Sequence, residues 1–140
     1  MIPHKTDLDC LAYKGDLASI KNQIETLEAK DIETAKWYIN ERFFQGDTCL
    51  ISASRWGKIE IVQYLLDHGA NPNIPNNKNA LPIYAAAVGK HYAIIELLKK
   101  HGAVYDENEL QKKLMAKTIP GCLVLISAAG ILGAIFLWMF

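Results

Sequence analysis

The chain has 140 residues, 15 basic and 15 acidic side chains, 51% hydrophobic residues and three cysteines, which leaves room for one domain of ordinary size and excludes a multidomain enzyme. A formal charge of zero argues against a general nucleic-acid binder, which needs excess Lys and Arg to displace counterions from phosphates. Cys10, Cys49 and Cys122 are odd in number and scattered, a pattern that fits a reduced compartment better than a disulfide framework.

Residues 1–117 match themselves at an offset of 33: Leu50 with Ile83, Ala53 with Ala86, Ile61 with Ile94, Val62 with Ile95, Leu65 with Leu98. His68-Gly69-Ala70 returns as His101-Gly102-Ala103, and Asn40, Asn73 and Asp106 fall on the same grid. A period of that length predicts stacked supersecondary units, each too small to bury its apolar face alone. Residues 1–45 carry a degraded unit, seen in Leu11-Ala12-Tyr13-Lys14-Gly15-Asp16-Leu17 with Ile20 and Ile24. Gly15 and Gly57 are 42 residues apart, nine beyond the period. The excess predicts a lengthened or extra helix around Thr34 to Tyr38, ahead of an exit segment at Ile39-Asn40. Residues 1–20 hold His4, Lys5, Asp7, Asp9, Lys14 and Asp16 without an apolar core, so no secretory signal is expected.

The next unit, residues 46–78, reads as helix, turn, helix and exit loop. Thr48 is placed to cap the first helix, Leu50 and Ala53 face inward, and Gly57 breaks it. Ile61, Val62, Leu65 and Leu66 make the apolar stripe of the second helix, which Gly69 ends before the turn residues Asn71-Pro72-Asn73. Residues 79–106 repeat this with Pro82 at the helix start, Ala85, Ala86 and Ala87 for close packing, then Ile94, Ile95, Leu97 and Leu98 before Gly102. His68 and His101 precede the helix-ending glycines, where a donor complements the helix C-terminus. Residues 107–117 are expected to form a short helical linker.

These units resemble the ankyrin repeat. Gly46-Asp47-Thr48-Cys49-Leu50, with Ala53, Gly57, Ile61-Val62, Leu65-Leu66, Gly69-Ala70 and Asn73, covers nearly every signature position of one unit. In the following unit Leu81 replaces the threonine, Tyr84 the histidine, and the glycine slips to Gly89, ahead of Lys90-His91. The missing Thr and His predict a looser lead-in loop. The resemblance implies an all-α solenoid with hairpin loops, with residues 1–45 as a divergent cap. It also implies that partners bind the hairpin tips and the exposed positions of each first helix. Carried over, that face is Arg42, Phe44, Gln45, Asp47, Arg55, Trp56, Pro75, Asn77, Lys78, Ala80 and Val88. Phe44 and Trp56 stand out, since aromatics beside arginines are typical interface anchors. Cys49 stands at the family's proline position and is expected to be a small buried hydrophobe.

Residues 118–140 carry no ionisable side chain except the thiol of Cys122. At 1.5 Å per residue the stretch from Cys122 onward spans about 28 Å as a helix, close to the roughly 30 Å hydrocarbon core of a bilayer. A single transmembrane helix is therefore expected, with Pro120 and Gly121 at its start. As a terminal span it would insert after synthesis, as in tail-anchored proteins. Lys112, Lys113 and Lys117 precede it, which keeps the repeats on the cytoplasmic side by the positive-inside tendency. Ala129 with Gly133, and Gly130 with Ala134, are small residues four apart that would let two such helices pack closely, as in a homodimer. Cys122 sits where acylation is chemically feasible.

The sequence holds no phosphate loop, nucleophile elbow or paired-His metal spacing, so neither enzyme, cofactor nor metal site is expected. The expected function is a membrane-anchored scaffold that binds a protein partner. Two other readings stay open: a subunit or regulator of a membrane complex docking through its transmembrane helix, and an effector of an intracellular bacterium.

Overall fold

A computed structural model describes residues 7–116. The membrane-helix expectation for residues 118–140, with Cys122, Ala129, Gly130, Gly133 and Ala134, lies outside the described residues. No helix among the described residues is long and apolar enough to cross a membrane.

Among the described residues the chain forms α1 (Asp7–Lys14), α2 (Leu17–Glu28), α3 (Ile32–Ile39), α4 (Cys49–Arg55), α5 (Ile59–Asp67), α6 (Pro82–Gly89), α7 (Tyr92–Lys100) and α8 (Glu107–Met115). Side-chain caps set several of the starts. Thr48 accepts from the Ile51 amide at 3.3 Å, Asp16 from Ser19 at 3.0 Å and Asp106 from Glu109 at 2.8 Å. Each satisfies an amide that the first helical turn leaves orphaned. The extra residues between the first two units are α3, a separate helix packed on α2. Asp31 starts it, accepting from the Glu33 and Thr34 amides at 3.2 and 3.0 Å.

The Thr34 hydroxyl and these two amides hold the Asp31 carboxyl below its ordinary 3.8. A depressed folded pKa contributes stability that is complete above the unfolded value and is lost as pH falls through the folded one. Asp31→Asn keeps a capping oxygen without the titration. We expect it to lose helix signal less steeply below pH 3.8, as read by circular dichroism during acid titration.

The inner helices α1, α4, α6 and α8 stack in that order, and contacts of start with start and end with end make them parallel. At their starts, the Cys49 thiol donates to the Leu8 carbonyl at 3.5 Å, and the Tyr84 hydroxyl of α6 accepts from the Asp106 amide at 2.9 Å. At their ends, the Tyr13 and Trp56 rings meet edge to face with centroids 4.9 Å apart. Leu8, Ile24, Leu50, Ile61, Leu65, Ile83, Leu98 and Leu110 join one continuous apolar core beneath this layer. The segment expected to be a linker therefore opens with a helix seated on α6, and its Leu110 is 1% exposed. Cys49 is fully buried, in keeping with its reading as a small hydrophobe.

The 33-residue grid has a physical basis in two asparagines. Asn40 accepts from the Asn71 amide at 2.7 Å and donates to the Gly69 carbonyl at 3.1 Å. Asn73 does the same one unit on, accepting from Val104 at 2.7 Å and donating to Gly102 at 3.1 Å. Each ties one exit loop to the next. Asp106, third on the grid, caps α8 instead, because no further unit follows it in the described chain.

The displaced glycine also has a tertiary cause. The left-handed residue after α6 is Lys90 (φ 60°), in register with Gly57 (φ 70°), so the conformation kept its place while the glycine moved. His91 explains the move. Its ring nitrogen lies 3.2 Å from the Arg55 carbonyl, and a Cβ at Gly57 or Gly89 would fall 2.5 or 2.4 Å from the imidazole. The two glycines thus make the slot in which His91 locks one unit onto the next.

Candidate functional site

The sequence-derived face divides into two groups at opposite ends of the inner helices. Arg42, Gln45, Asp47, Pro75, Asn77, Lys78 and Ala80 gather at the hairpin end, where α4 and α6 begin. Trp56 and Val88 lie at the other end, about 10 Å away along a seven-residue helix such as α4. Arg55 reaches back from that end to the first group. The side chain of Phe44 lies outside the described part of the structure.

Asp47 is not the exposed contact that the repeat pattern implies. It is 5% exposed and serves as the hub of the hairpin end. One carboxylate oxygen accepts from the Asn76 side-chain amide at 2.7 Å, and the other is paired with the Arg55 guanidinium. Its carbonyl accepts from the Phe43 amide at 2.8 Å. A buried carboxylate is tolerated only when its lone pairs are filled this way.

Asn76 extends the network into the following unit. Its side-chain oxygen accepts from the amides of Lys78 and Ala80, each at 2.9 Å. The lead-in loop of that unit, expected to be loose without its threonine, is held by this asparagine instead. The tips of the two hairpins are then joined directly. The Asn77 amide donates to the Gln45 carbonyl at 3.2 Å, and Arg42 donates to the Asn77 side chain at 3.1 Å. Gln45 tolerates a left-handed φ of 59° at this tip. Arg42, Gln45, Pro75, Asn77 and Lys78 are exposed above the network, while Ala80 is half-buried.

Along α6, from Ala80 ahead of its start to Val88 in its last turn, Arg55, Ala80, Tyr84, Ala85, Val88 and Lys113 line a shallow concave groove of about 110 Å³. Lys113 lies over the Tyr84 ring at 5.5 Å. Sequence reasoning missed Asn76 and Tyr13. Asn76 shares its grid position with Phe43, so no repeated residue marks it. Tyr13 lies in the degraded first unit, where the pattern is faintest. His68, expected to complement its helix end, bridges units: its Nδ1 lies 2.6 Å from a carboxylate oxygen of Glu28 on α2. Among the described residues no group of three His, Cys, Asp or Glu is placed to hold a metal ion.

The arrangement offers a polar, convoluted surface braced by hydrogen bonds between units. Such a surface suits recognition of another macromolecule. Known proteins agree with this architecture. The chain is 42% identical over 73 residues to the regulatory protein SWI6 of Kluyveromyces lactis, a match covering 46% of this chain and 9% of that one. It is 27% identical over 117 residues to the ankyrin repeat-containing protein ITN1 of Arabidopsis thaliana, covering 73% of this chain and 20% of that one. It therefore spans a fifth or less of these two curated relatives. A chain in the crystal structure of the yeast ribosomal protein Rps3 in complex with its chaperone Yar1 superposes with a TM-score of 0.65. That match has 28% identity and covers 71% of this chain and 69% of that chain. The family model for ankyrin repeats, three copies long, matches residues 10–109, and with the stacked units described above the chain belongs to the ankyrin-repeat family.

Proposed function

We propose that this protein is a membrane-anchored adaptor, whose repeats capture a protein partner on the cytosolic face of a membrane. The observation that carries the binding half is the bracing of two successive hairpin tips by the buried Asp47 and Asn76. A surface ordered before its partner arrives loses less entropy on binding. Membership of the ankyrin-repeat family supports a protein–protein interaction role, and the structural relative above comes from a two-protein complex.

The anchoring half rests on the uncharged stretch at residues 118–140, preceded by Lys112, Lys113 and Lys117. Confinement to a surface raises the effective concentration for partners that share it. The small residues Ala129, Gly130, Gly133 and Ala134 favour a second reading, in which that segment docks with other transmembrane helices. Exchanging it for an unrelated anchor separates the two, since an adaptor keeps its partner and a docking subunit loses it.

The binding face is tested by reversing charge and polarity on exposed hairpin positions that brace nothing by their side chains. Gln45→Glu with Lys78→Glu is expected to weaken partner capture by about tenfold or more, as truncation of interface anchors does. The unfolding midpoint should stay within a degree or two of the parent chain, because exposed substitutions cost little. Undiminished capture in a quantitative pull-down would remove the hairpin end from the binding role.

A further inference from the structure

Six of the nine large apolar side chains exposed among the described residues lie at one edge of the array. They are Tyr13, Trp56, Val88 and Met115 at the ends of α1, α4, α6 and α8, with Ile59 and Tyr92 at the starts of α5 and α7. This is the edge formed by the turns inside each unit, opposite the hairpins. Tyr13 and Trp56 are 53% and 51% exposed although their rings contact each other. The same turns present a lysine in each unit: Lys14, Lys58 and Lys90. Asp16 and Glu60 are the acidic residues beside them, and Asp16 is engaged in capping α2 through Ser19.

α8 decides what this edge faces. Its start lies beside the start of α6, through the Asp106 to Tyr84 bond, and its Lys113 shares the concave groove with Val88 near the end of α6. α8 therefore points its C-terminal end toward the turn edge, with Lys112 in its last turn, and Lys117 follows in the sequence. The uncharged run begins at the next residue, Thr118. Lysines interleaved with Tyr and Trp are the side chains that settle at a bilayer surface, amphipathic rings at headgroup depth and ammonium groups against anionic headgroups.

We infer that the turn edge rests on an anionic lipid surface, so that the array stands on the membrane with its hairpins pointing away. This rests on the membrane-anchored reading above and extends it, because it assigns a second, peripheral lipid contact to the repeats. It also leaves the hairpin end free for the partner.

The test uses the full chain added to preformed vesicles of phosphatidylcholine, with or without phosphatidylserine. Lysines are then labelled with a membrane-impermeant amine reagent and read by mass spectrometry. Lys14, Lys58 and Lys90 are expected to label severalfold less on phosphatidylserine vesicles, and to recover in high salt, where screening shortens the reach of surface charge. Lys30, Lys36 and Lys78, away from the edge, should label equally on both. Equal labelling of the turn lysines on both vesicles overturns the inference, as does protection that appears only when a soluble protein is added. An alkaline carbonate wash of the same vesicles separates the two readings. A chain retained with unprotected turn lysines overturns the edge contact alone, whereas a chain whose turn lysines are protected but which the wash releases overturns the anchor alone.

Discussion

Replacing Asp47 with alanine is expected to lower the unfolding free energy by about 2–3 kcal/mol, the range for a buried acceptor whose partners are left unsatisfied. The Asn76 amide is the main loss, since Asn76 is itself 5% exposed and a buried donor left without its acceptor keeps its full desolvation cost. Arg55 contributes less, because its side chain is 37% exposed and solvent screens the orphaned charge. Asp47→Asn should retain part of the loss-free state by keeping one acceptor for Asn76. The midpoint in urea should fall with an unchanged slope, as expected when stability changes and compactness does not. The damage should also reach the second hairpin: amides of Lys78 and Ala80 depend on Asn76, so their hydrogen exchange should quicken together. A shift below about 0.5 kcal/mol, the usual effect of a surface substitution, would mean that Asp47 is a surface residue after all.

Leu110→Ala is expected to cost about 2–4 kcal/mol, as for other fully buried leucines. The residue is 1% exposed and fills the end of the stack against α6. In a linear array each unit is stabilised by its neighbours, so the loss should appear first in α8 and then in α6. Hydrogen exchange should quicken at 107–115 and at 82–89, and little at α2 or α3. If Leu110→Ala leaves exchange at 82–89 unaltered, α8 is a passive connection and not the cap of the array. The result also bears on the lipid-facing edge, because a loosened α8 no longer dictates how the stack meets the membrane.

Much of the fold was legible because a repeat writes the same physics several times. Ile61, Val62, Leu65 and Leu66 and their partners one period on point to amphipathic helices, and Gly57 and Gly69 mark where those helices stop. The 42-residue spacing from Gly15 to Gly57 likewise demanded an insertion, which is α3. The face was less legible. Position in a repeat assigns a residue to a typical environment, and that rule placed Asp47 outside when its partners, Asn76 and Arg55, draw it in. Nothing local to Asp47 reveals a partner 29 residues away.

Chain pattern by itself determined the family, the helix pairs and their order, because apolar period and turn chemistry act over a few residues. Tertiary structure alone decided four things: the burial of Asp47, the glycine slot around His91, the seating of α8 on α6, and the gathering of Tyr13, Trp56 and three lysines at one edge. Each depends on side chains brought together across units, and such contacts are set by how helices stack rather than by what their neighbours in sequence prefer.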